Sequence, residues 1–347
     1  MKRVILFLVF AVFAIPVAAR AGDIVGFREI ALPGTPAARA LDVAVWYPAR
    51  EGGTVRTVGE NPVFYGLRVA ENAPAEPGRH PLVVISHGYS GNWANQAWLA
   101  DALVRHGYIV AAPNHPGTTT RDIRPIGTLE LLERPRDISR IIDALTSDAV
   151  WAALLDPERI AAVGHSLGGW TVMELAGARF DAVRYNADCG RHPDLAACKI
   201  AVEDGWSRNP DETLSRQSRS DARIKAVVSL DIGMARGFDP SSVRAIGLPV
   251  LIVAGGHSGS DGIPAELESD ALAALLPTSK VQRLKIEDAA HFSFLLLCKP
   301  GAVAILEADH PGDKVVCEDG GGRDRAALHG QMTGDVIRFL AAALKPR

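Results

Sequence analysis

The strongest chemical signal in the sequence is a serine between two glycines, in the run GHSLG at residues 164–168. Ser166 comes after a short apolar run that ends at Val163, and a segment with a helical pattern follows it. A strand, turn and helix of this kind form a nucleophile elbow, whose glycines let the strand and helix approach closely. We therefore predict that Ser166 is an exposed nucleophile. The alternative is a glycine-rich turn that only packs a helix on a strand.

A serine hydroxyl is unreactive at its free pKa and needs a general base within hydrogen-bond reach. Enzymes with such an elbow carry the serine, an acid and the histidine in this chain order. His291 follows the last predicted strand by a few residues, so a loop can return its imidazole to Ser166. We expect His291 to be the base. The histidines that fit the order or the position less well are His192, His257, His310 and His329.

Two aspartates at strand ends could orient the imidazole and stabilise its charged form. Asp231 follows its predicted strand immediately, as a fixed orienting group should. Asp261 lies several flexible residues beyond the next predicted strand. We favour Asp231 and keep Asp261 as the alternative acid.

Acyl transfer also needs hydrogen-bond donors for the oxyanion of the tetrahedral intermediate. The backbone N–H of Leu167 is one candidate, because it follows the nucleophile directly. The second should come from the loop SHGYSG at 86–91, where we choose the N–H of Tyr89 and expect His87 to support the loop. Aromatic residues that flank these motifs could pack in the core or line a pocket: Trp93, Trp98, Trp170, Phe292 and Phe294.

Short apolar runs alternate with helical patterns through most of the chain. Predicted strands lie at 24–30, 41–47, 81–86, 108–112, 159–163, 224–230, 249–254 and 281–286. Predicted helices lie at about 92–106, 135–150, 167–178, 265–276 and 325–344. Strands without a polar face are typical of a sheet buried between two helical layers. The predicted fold class is α/β, with a doubly wound, mostly parallel sheet and helices on both faces.

Residues 48–78, which precede most of this alternation, are predicted to be a long surface connection. Two later regions do not fit the alternation. Residues 179–222 are a predicted insertion near the active site, which would form a pocket wall or a lid. The Gly- and Asp-rich residues 298–324 fit that role and a plain surface loop equally well. The length suits one domain over residues 22–347.

Residues 1–21 have the pattern of an export signal. Lys2 and Arg3 precede an apolar run that contains Pro16, and Ala19 and Ala21 fit a cleavage site. The alternative is a membrane anchor, but the run is short for a bilayer span. We therefore expect a periplasmic or extracellular protein without stable membrane insertion after signal removal.

The four cysteines suit two local disulfides in an exported protein, Cys189 with Cys198 and Cys298 with Cys317. A metal site is the competing interpretation, but the sequence has neither CxxC spacing nor an HExxH motif. The formal net charge is −3 and no cluster of lysine or arginine stands out, so nothing indicates a nucleic-acid partner. A small-molecule or lipid-like ester fits better as substrate, and the sequence leaves the oligomeric state open.

The chain resembles the platelet-activating factor acetylhydrolase group and the bacterial proteins described as predicted dienelactone hydrolases, within the α/β-hydrolase superfamily. Five motifs carry the resemblance: VISHGYSG at 84–91, LVRHGYIVAA at 103–112, GHSLGG at 164–169, SLD at 229–231 and HFSF at 291–294. The resemblance implies an α/β-hydrolase fold and a serine esterase of the acetylhydrolase or carboxylesterase type. In the acetylhydrolases the acid follows the strand after the elbow helix, which adds weight to Asp231.

The sequence therefore predicts a secreted serine hydrolase that cleaves carboxylic esters by Ser-His-Asp acyl transfer without a cofactor. One alternative is a lactone or amide hydrolase with the same triad. A second alternative is a non-catalytic binding protein on a hydrolase fold, but such proteins usually lose a triad member, and none is missing here.

Overall fold

The central strands place apolar side chains on both faces of one sheet. The computed structural model describes residues 24–124, 128–203 and 216–345. In the strand His80–Ser86, Leu82 and Val84 pack into one core layer, while Val83 and Ile85 pack into the other. Successive side chains of a strand point to opposite faces, so one apolar run supplies both layers.

Ten strands form one sheet in the described residues, in the order β12-β11-β10-β9-β5-β6-β2-β1-β4-β3, and β7 and β8 form a separate hairpin. The six neighbouring strands β12, β11, β10, β9, β5 and β6 are parallel, and β2 pairs antiparallel with β6 and β1. The mostly parallel sheet is confirmed. The strands are β1 (Ile24–Leu32), β2 (Leu41–Ala49), β3 (Thr54–Val58), β4 (Leu67–Glu71), β5 (His80–Ser86), β6 (Ile109–Pro113), β7 (Thr118–Thr119), β8 (Asp122–Ile123), β9 (Leu155–His165), β10 (Ile224–Leu230), β11 (Val250–Gly255) and β12 (Val281–Ile286).

Helices cover both faces of this sheet, as predicted. The α-helices are α1 (Ala97–Arg105), α2 (Thr128–Leu131), α3 (Glu133–Ser147), α4 (Ala149–Leu154), α5 (Leu167–Ala176), α6 (Ala182–Arg191), α7 (Ala196–Glu203), α8 (Pro240–Arg244), α9 (Ser269–Ala273), α10 (Ala302–Asp309) and α11 (Arg325–Ala343). Helices α1 and α11 supply the layer that contains Val83, whereas α3 and α5 supply the layer that contains Val84.

The edge of the sheet differs from the prediction. Residues 48–78 are not only a surface connection, because they contain β3 and β4, which pair antiparallel with each other, while β4 runs parallel to β1. These strands are short and β3 is largely exposed, so they lack the apolar alternation by which strands are recognised. Pairing at the sheet edge and the burial of Val58 and Val69 in the core hold them, and exposed ion pairs join Arg56 to Glu29 and Glu71.

Both regions that interrupt the alternation lie against loops at the carboxyl ends of the strands. In residues 179–203, α6 and α7 are joined by the disulfide Cys189–Cys198. Ala196 N–H donates to the carbonyl of Gly262, 3.0 Å away, beyond the end of β11. The second region is closed by the disulfide Cys298–Cys317, and its Gly320 N–H donates to the carbonyl of Asp288, 3.2 Å away, beyond the end of β12. Residues 204–215 of the insertion and the predicted signal at 1–21 lie outside the described residues.

Helix α5 meets β5 backbone to backbone at Gly168. A Cβ atom built there would stand 1.9 Å from the carbonyl oxygen of Ser86. We predict that Gly168→Ala destabilises the protein by about 2–3 kcal/mol or more, because the backbones must separate. Thermal unfolding would measure the loss.

Gly330→Ala is the matched control for this substitution. Gly330 is an exposed glycine inside α11, where an added Cβ meets no atom within 4 Å. Alanine should leave the unfolding temperature unchanged or raise it, since glycine weakens a helix interior by about 0.5–1 kcal/mol. Equal unfolding temperatures for the two variants would contradict the close contact at Gly168.

Candidate active site

Ser166 lies at the turn between β9 and α5, in a backbone conformation with φ 55° and ψ −118°. The flanking glycines make this turn possible: a Cβ on Gly164 would stand 2.0 Å from the carbonyl oxygen of Gly168. The Ser166 N–H donates to the carbonyl of Leu230 at 2.9 Å, which ties the turn to the neighbouring strand β10. The side chain is half-buried, so the hydroxyl stands at the end of the sheet within reach of a ligand.

The imidazole of His291 bridges Ser166 and Asp231. Its Nε2 lies 3.0 Å from Ser166 Oγ, and its Nδ1 lies 2.6 Å from Asp231 Oδ2. The Gly255 N–H donates to the other Asp231 oxygen at 2.7 Å, so the carboxylate is held on two sides. Because the carboxylate accepts from Nδ1–H, Nε2 carries the free lone pair that faces the hydroxyl. This geometry suits transfer of the serine proton to the imidazole.

Asp261 lies beside the same histidine but contacts its backbone. The His291 N–H donates to Asp261 Oδ2 at 2.9 Å. Burial raises the pKa of Asp261, the hydrogen bond from His291 lowers it, and the net direction is upward. The two candidate acids therefore occupy different places: Asp231 meets the ring, and Asp261 meets the main chain of the loop that carries the ring.

Several buried groups hold the loop that carries His291. His165, the second residue of the elbow motif, donates from Nε2 to the His291 carbonyl at 3.0 Å. Burial and the nearby His291 hold the pKa of His165 well below its usual range, so its ring stays neutral beside the His291 imidazole. On the other side, Ser293 Oγ donates to Asp319, which also accepts from Arg325. Residues 298–324 therefore support the loop, which makes them more than a plain surface loop.

The predicted oxyanion donors lie on two segments next to Ser166. Leu167 is the first residue of α5, where the N–H has no partner inside the helix. The loop at 86–91 runs alongside, because a Cβ on Gly88 would stand 3.2 Å from Ser166 Cβ. The Gly91 N–H donates to the Gly88 carbonyl at 3.2 Å, which closes a tight turn around Tyr89.

A second Ser-His-Asp series lies beneath this loop, and the sequence analysis missed it. Ser86 Oγ donates to His115 Nε2 at 3.0 Å, and His115 Nδ1 donates to Asp137 Oδ2 at 2.8 Å. All three side chains are buried, so this series has no access to substrate. Burial and the nearby Arg134 hold the pKa of His115 well below its usual range. A buried polar network of this kind rigidifies what it contacts.

Most of the aromatic residues near the motifs belong to the core. Trp98, Trp170 and Phe294 are buried, and half-buried Trp93 packs on Phe27 and Trp46. Phe292 is different, because its half-buried ring stands edge-on to His291 with centroids 5.2 Å apart. Its ring therefore lies beside the imidazole that faces Ser166.

The described ranges hold no group of three or more His, Cys, Asp or Glu side chains arranged to bind a metal ion. They also hold no helix that is both long and apolar enough to cross a membrane.

Comparison with known proteins agrees with this architecture. Residues 82–304, which contain the elbow, both candidate acids and His291, match the profile described as the alpha/beta hydrolase family. The chain belongs to the alpha/beta hydrolase family.

Sequence relatives of this alpha/beta hydrolase include Cutinase 2 of Thermobifida cellulosilytica and Cutinase cut1 of Thermobifida fusca, both 32% identical over 114 residues. Each match covers 31% of this chain. The first match covers 38% of its relative, and the second covers 32%. The chain therefore spans well under half the length of these relatives.

A solved structure with the same fold is the ferulic acid esterase from Streptomyces cinnamoneus. It has a TM-score of 0.64 and 18% sequence identity, and the match covers 95% of this chain and 92% of that chain. At this identity the likeness establishes the fold of the alpha/beta hydrolase over nearly its whole length.

The different contacts of the two aspartates predict different effects of substitution. Asp231→Asn places an amide against Nδ1 and favours the wrong imidazole tautomer, a change that can cost on the order of 10⁴-fold in rate. We expect Asp231→Asn to slow covalent labelling of Ser166 by a fluorophosphonate by about 10³–10⁴-fold. Intact-mass kinetics would measure the labelling rate.

Asp261→Asn is the control for Asp231→Asn, because Asp261 also contacts His291 but only through its backbone. An asparagine can still accept the backbone N–H of His291 through its amide oxygen. We therefore expect a loss of less than about tenfold in the labelling rate. A loss as large as that of Asp231→Asn would make Asp261 the functional acid and contradict the assignment.

Proposed function

We propose that this protein hydrolyses carboxylic esters by acyl transfer, with Ser166 as nucleophile, His291 as general base and Asp231 as the group that orients and stabilises the imidazole. The observation that carries the proposal is the continuous hydrogen-bond series from Ser166 Oγ through both ring nitrogens to Asp231. A hydroxyl in such a series loses its proton as it attacks, without forming a free alkoxide.

The steps follow from the positions of these groups. Ser166 Oγ bonds to the ester carbonyl carbon while its proton passes to His291 Nε2, and the carbonyl oxygen becomes an oxyanion. We assign the N–H groups of Leu167 and Tyr89 as its donors. The intermediate collapses to an acyl-serine, and His291 returns the proton to the departing alcohol. A water molecule then attacks the acyl carbon while His291 takes its proton. The proton returns to Ser166 Oγ as the carboxylic acid leaves.

Ester chemistry is supported over other acyl substrates by the similar proteins. Sequence relatives are named cutinases, and a protein with the same fold is named a ferulic acid esterase. These names support a carboxylic-ester hydrolase in general. Our narrower assignment, an acetylhydrolase-like or dienelactone hydrolase-like enzyme, stays a prediction, and an acyl-length profile would test it.

We also propose that residues 22–347 form one exported domain, in the periplasm or outside the cell. One sheet joins ten strands, of which β1 is the first and β12 the last along the chain, and this supports a single domain. The two disulfides, Cys189–Cys198 and Cys298–Cys317, support export, because such bonds persist in oxidising compartments.

The proposal predicts a serine-dependent esterase. The protein should hydrolyse p-nitrophenyl acetate, and parallel assays on butyrate and octanoate esters would give its acyl-length profile. Ser166→Ala should reduce kcat on the order of 10⁴-fold or more, because removal of the nucleophile leaves only binding and oxyanion stabilisation. Initial-rate assays would measure kcat and KM for each ester.

Ser147→Ala is the matched control, since this exposed serine at the end of α3 lies outside the site. It should retain wild-type kcat and KM. Wild-type protein that hydrolyses no ester in a broad panel, and whose Ser166 resists a fluorophosphonate, would refute the proposal and favour a binding protein on a hydrolase fold.

A further inference from the structure

Arg134, near the start of α3, is a fully buried arginine with no role in the reaction proposed above. Its guanidinium donates to four acceptors on three segments. Two lie on the loop at 86–91, which we call the oxyanion loop: Arg134 Nη2 donates to Ser86 Oγ at 3.3 Å and to the His87 carbonyl. The other two are hydroxyls, Thr118 Oγ1 at 2.5 Å from Nη1 and Thr171 Oγ1 at 3.1 Å from Nε.

Thr171 extends this contact to the second oxyanion segment. It lies in α5, one turn after the nucleophile, and its hydroxyl donates to the Leu167 carbonyl at 2.9 Å. One guanidinium therefore reaches the His87 carbonyl directly and the Leu167 carbonyl through a single hydroxyl. Leu167 supplies one of the two N–H groups assigned to the oxyanion, and His87 lies two residues before Tyr89, which supplies the other.

We propose that Arg134 is a positioning residue that fixes the spacing between the two oxyanion donors from beneath the active site. The inference rests on the ester hydrolase function proposed above, because it assigns a further residue to the same site. Arg134 contacts no reacting atom in this account and acts only through the backbone segments that it joins.

The chemistry of arginine suits this role. A guanidinium presents five N–H donors in a rigid planar fork, so acceptors bound to it are held at fixed distances from one another. A lysine ammonium is a single point on a flexible chain and has only three donors. An Arg134→Lys protein therefore keeps the charge and loses the fixed spacing.

The surrounding network holds the guanidinium in one orientation. Ser86, which accepts from Arg134, donates to His115, and His115 donates to Asp137. Asp137 also pairs with Arg39, so the buried charges have an opposite charge within the network. Any other arrangement of these buried side chains would leave donors or acceptors without hydrogen bonds, which is costly. The side chains of the network are therefore held in one arrangement.

The same network orients the peptide group that precedes Tyr89. His87 donates from Nδ1 to the Gly88 carbonyl at 2.6 Å, and the His115 N–H donates to His87 Nε2 at 3.1 Å. In a trans peptide the N–H points opposite to the carbonyl. Holding the Gly88 carbonyl on His87 therefore aims the Tyr89 N–H to the other side.

The test uses the full-length enzyme and compares Thr171→Val with Thr146→Val. Thr171→Val removes the hydroxyl that links Arg134 to Leu167 and keeps the shape of the side chain. Thr146, on α3, makes the same kind of hydrogen bond to a carbonyl four residues earlier, Ile142 at 2.6 Å, away from the site. Arg134→Lys and its exposed neighbour Arg136→Lys form a second pair.

Displaced donors should stabilise the transition state less and leave substrate binding unchanged. A misplacement near 1 Å can cost about 100-fold in rate. We expect kcat for p-nitrophenyl acetate to fall about tenfold in Thr171→Val and about 10- to 100-fold in Arg134→Lys, with KM within about threefold of wild type. Inhibition by a trifluoromethyl ketone, which forms an oxyanion on the serine, should weaken by the same factor as kcat/KM.

Three results decide the matter. Parallel losses in kcat/KM and in ketone affinity, with wild-type values for Thr146→Val and Arg136→Lys, would support the inference. Active Thr171→Val with unchanged kcat and ketone affinity would overturn it and leave the esterase function intact. Wild-type protein that neither cleaves esters nor reacts with a fluorophosphonate would overturn the proposed function, and the inference with it. If Arg134→Lys does not fold by circular dichroism, the threonine pair carries the test.

Discussion

The backbone at Ser166 is held in a conformation that the rest of the site depends on. A non-glycine residue with a φ of 55° and a ψ of −118° costs roughly 1–3 kcal/mol and persists only where its surroundings enforce it. Here they do so through close packing, because α5 starts against β5 at Gly168 and the Ser166 N–H is bonded to β10. Released from this packing, the hydroxyl would lose its fixed relation to His291 and to the loop at 86–91.

Two Ser-His-Asp series with the same connectivity lie in this region and differ in burial. The series from Ser166 lies at the end of the sheet, where the serine is only half-buried. The series from Ser86 is enclosed in the core and joined to Arg134. The same hydrogen-bond chemistry therefore suits proton transfer where substrate has access and fixed geometry where it has none. Connectivity alone does not identify a catalytic triad.

The sequence predicted the fold well because buried parallel strands have a strong local signal. The runs at 81–86, 224–230 and 249–254 lie within one residue of β5, β10 and β11, whose side chains are almost all buried. The edge strand β3 has no such signal, since four of its five side chains are exposed and its pairing with β4 defines it. The site follows the same division. The elbow could be located from its glycines, whereas the contacts of Asp231 and Asp261 depend on long-range loop geometry. The role of Arg134 could not be predicted from the sequence, because only the fold brings it to acceptors up to 48 residues away in the chain.

The most direct test of the central claim is the crystal structure of the protein after reaction with a phosphonate, whose tetrahedral phosphorus imitates the intermediate of acyl transfer. We predict a bond from Ser166 Oγ to phosphorus, with one phosphonyl oxygen about 2.7–3.1 Å from both the Leu167 and Tyr89 nitrogens. His291 Nε2 should remain within hydrogen-bond reach of the serine oxygen. A phosphonyl oxygen turned away from both nitrogens, or an adduct on another residue, would contradict the account.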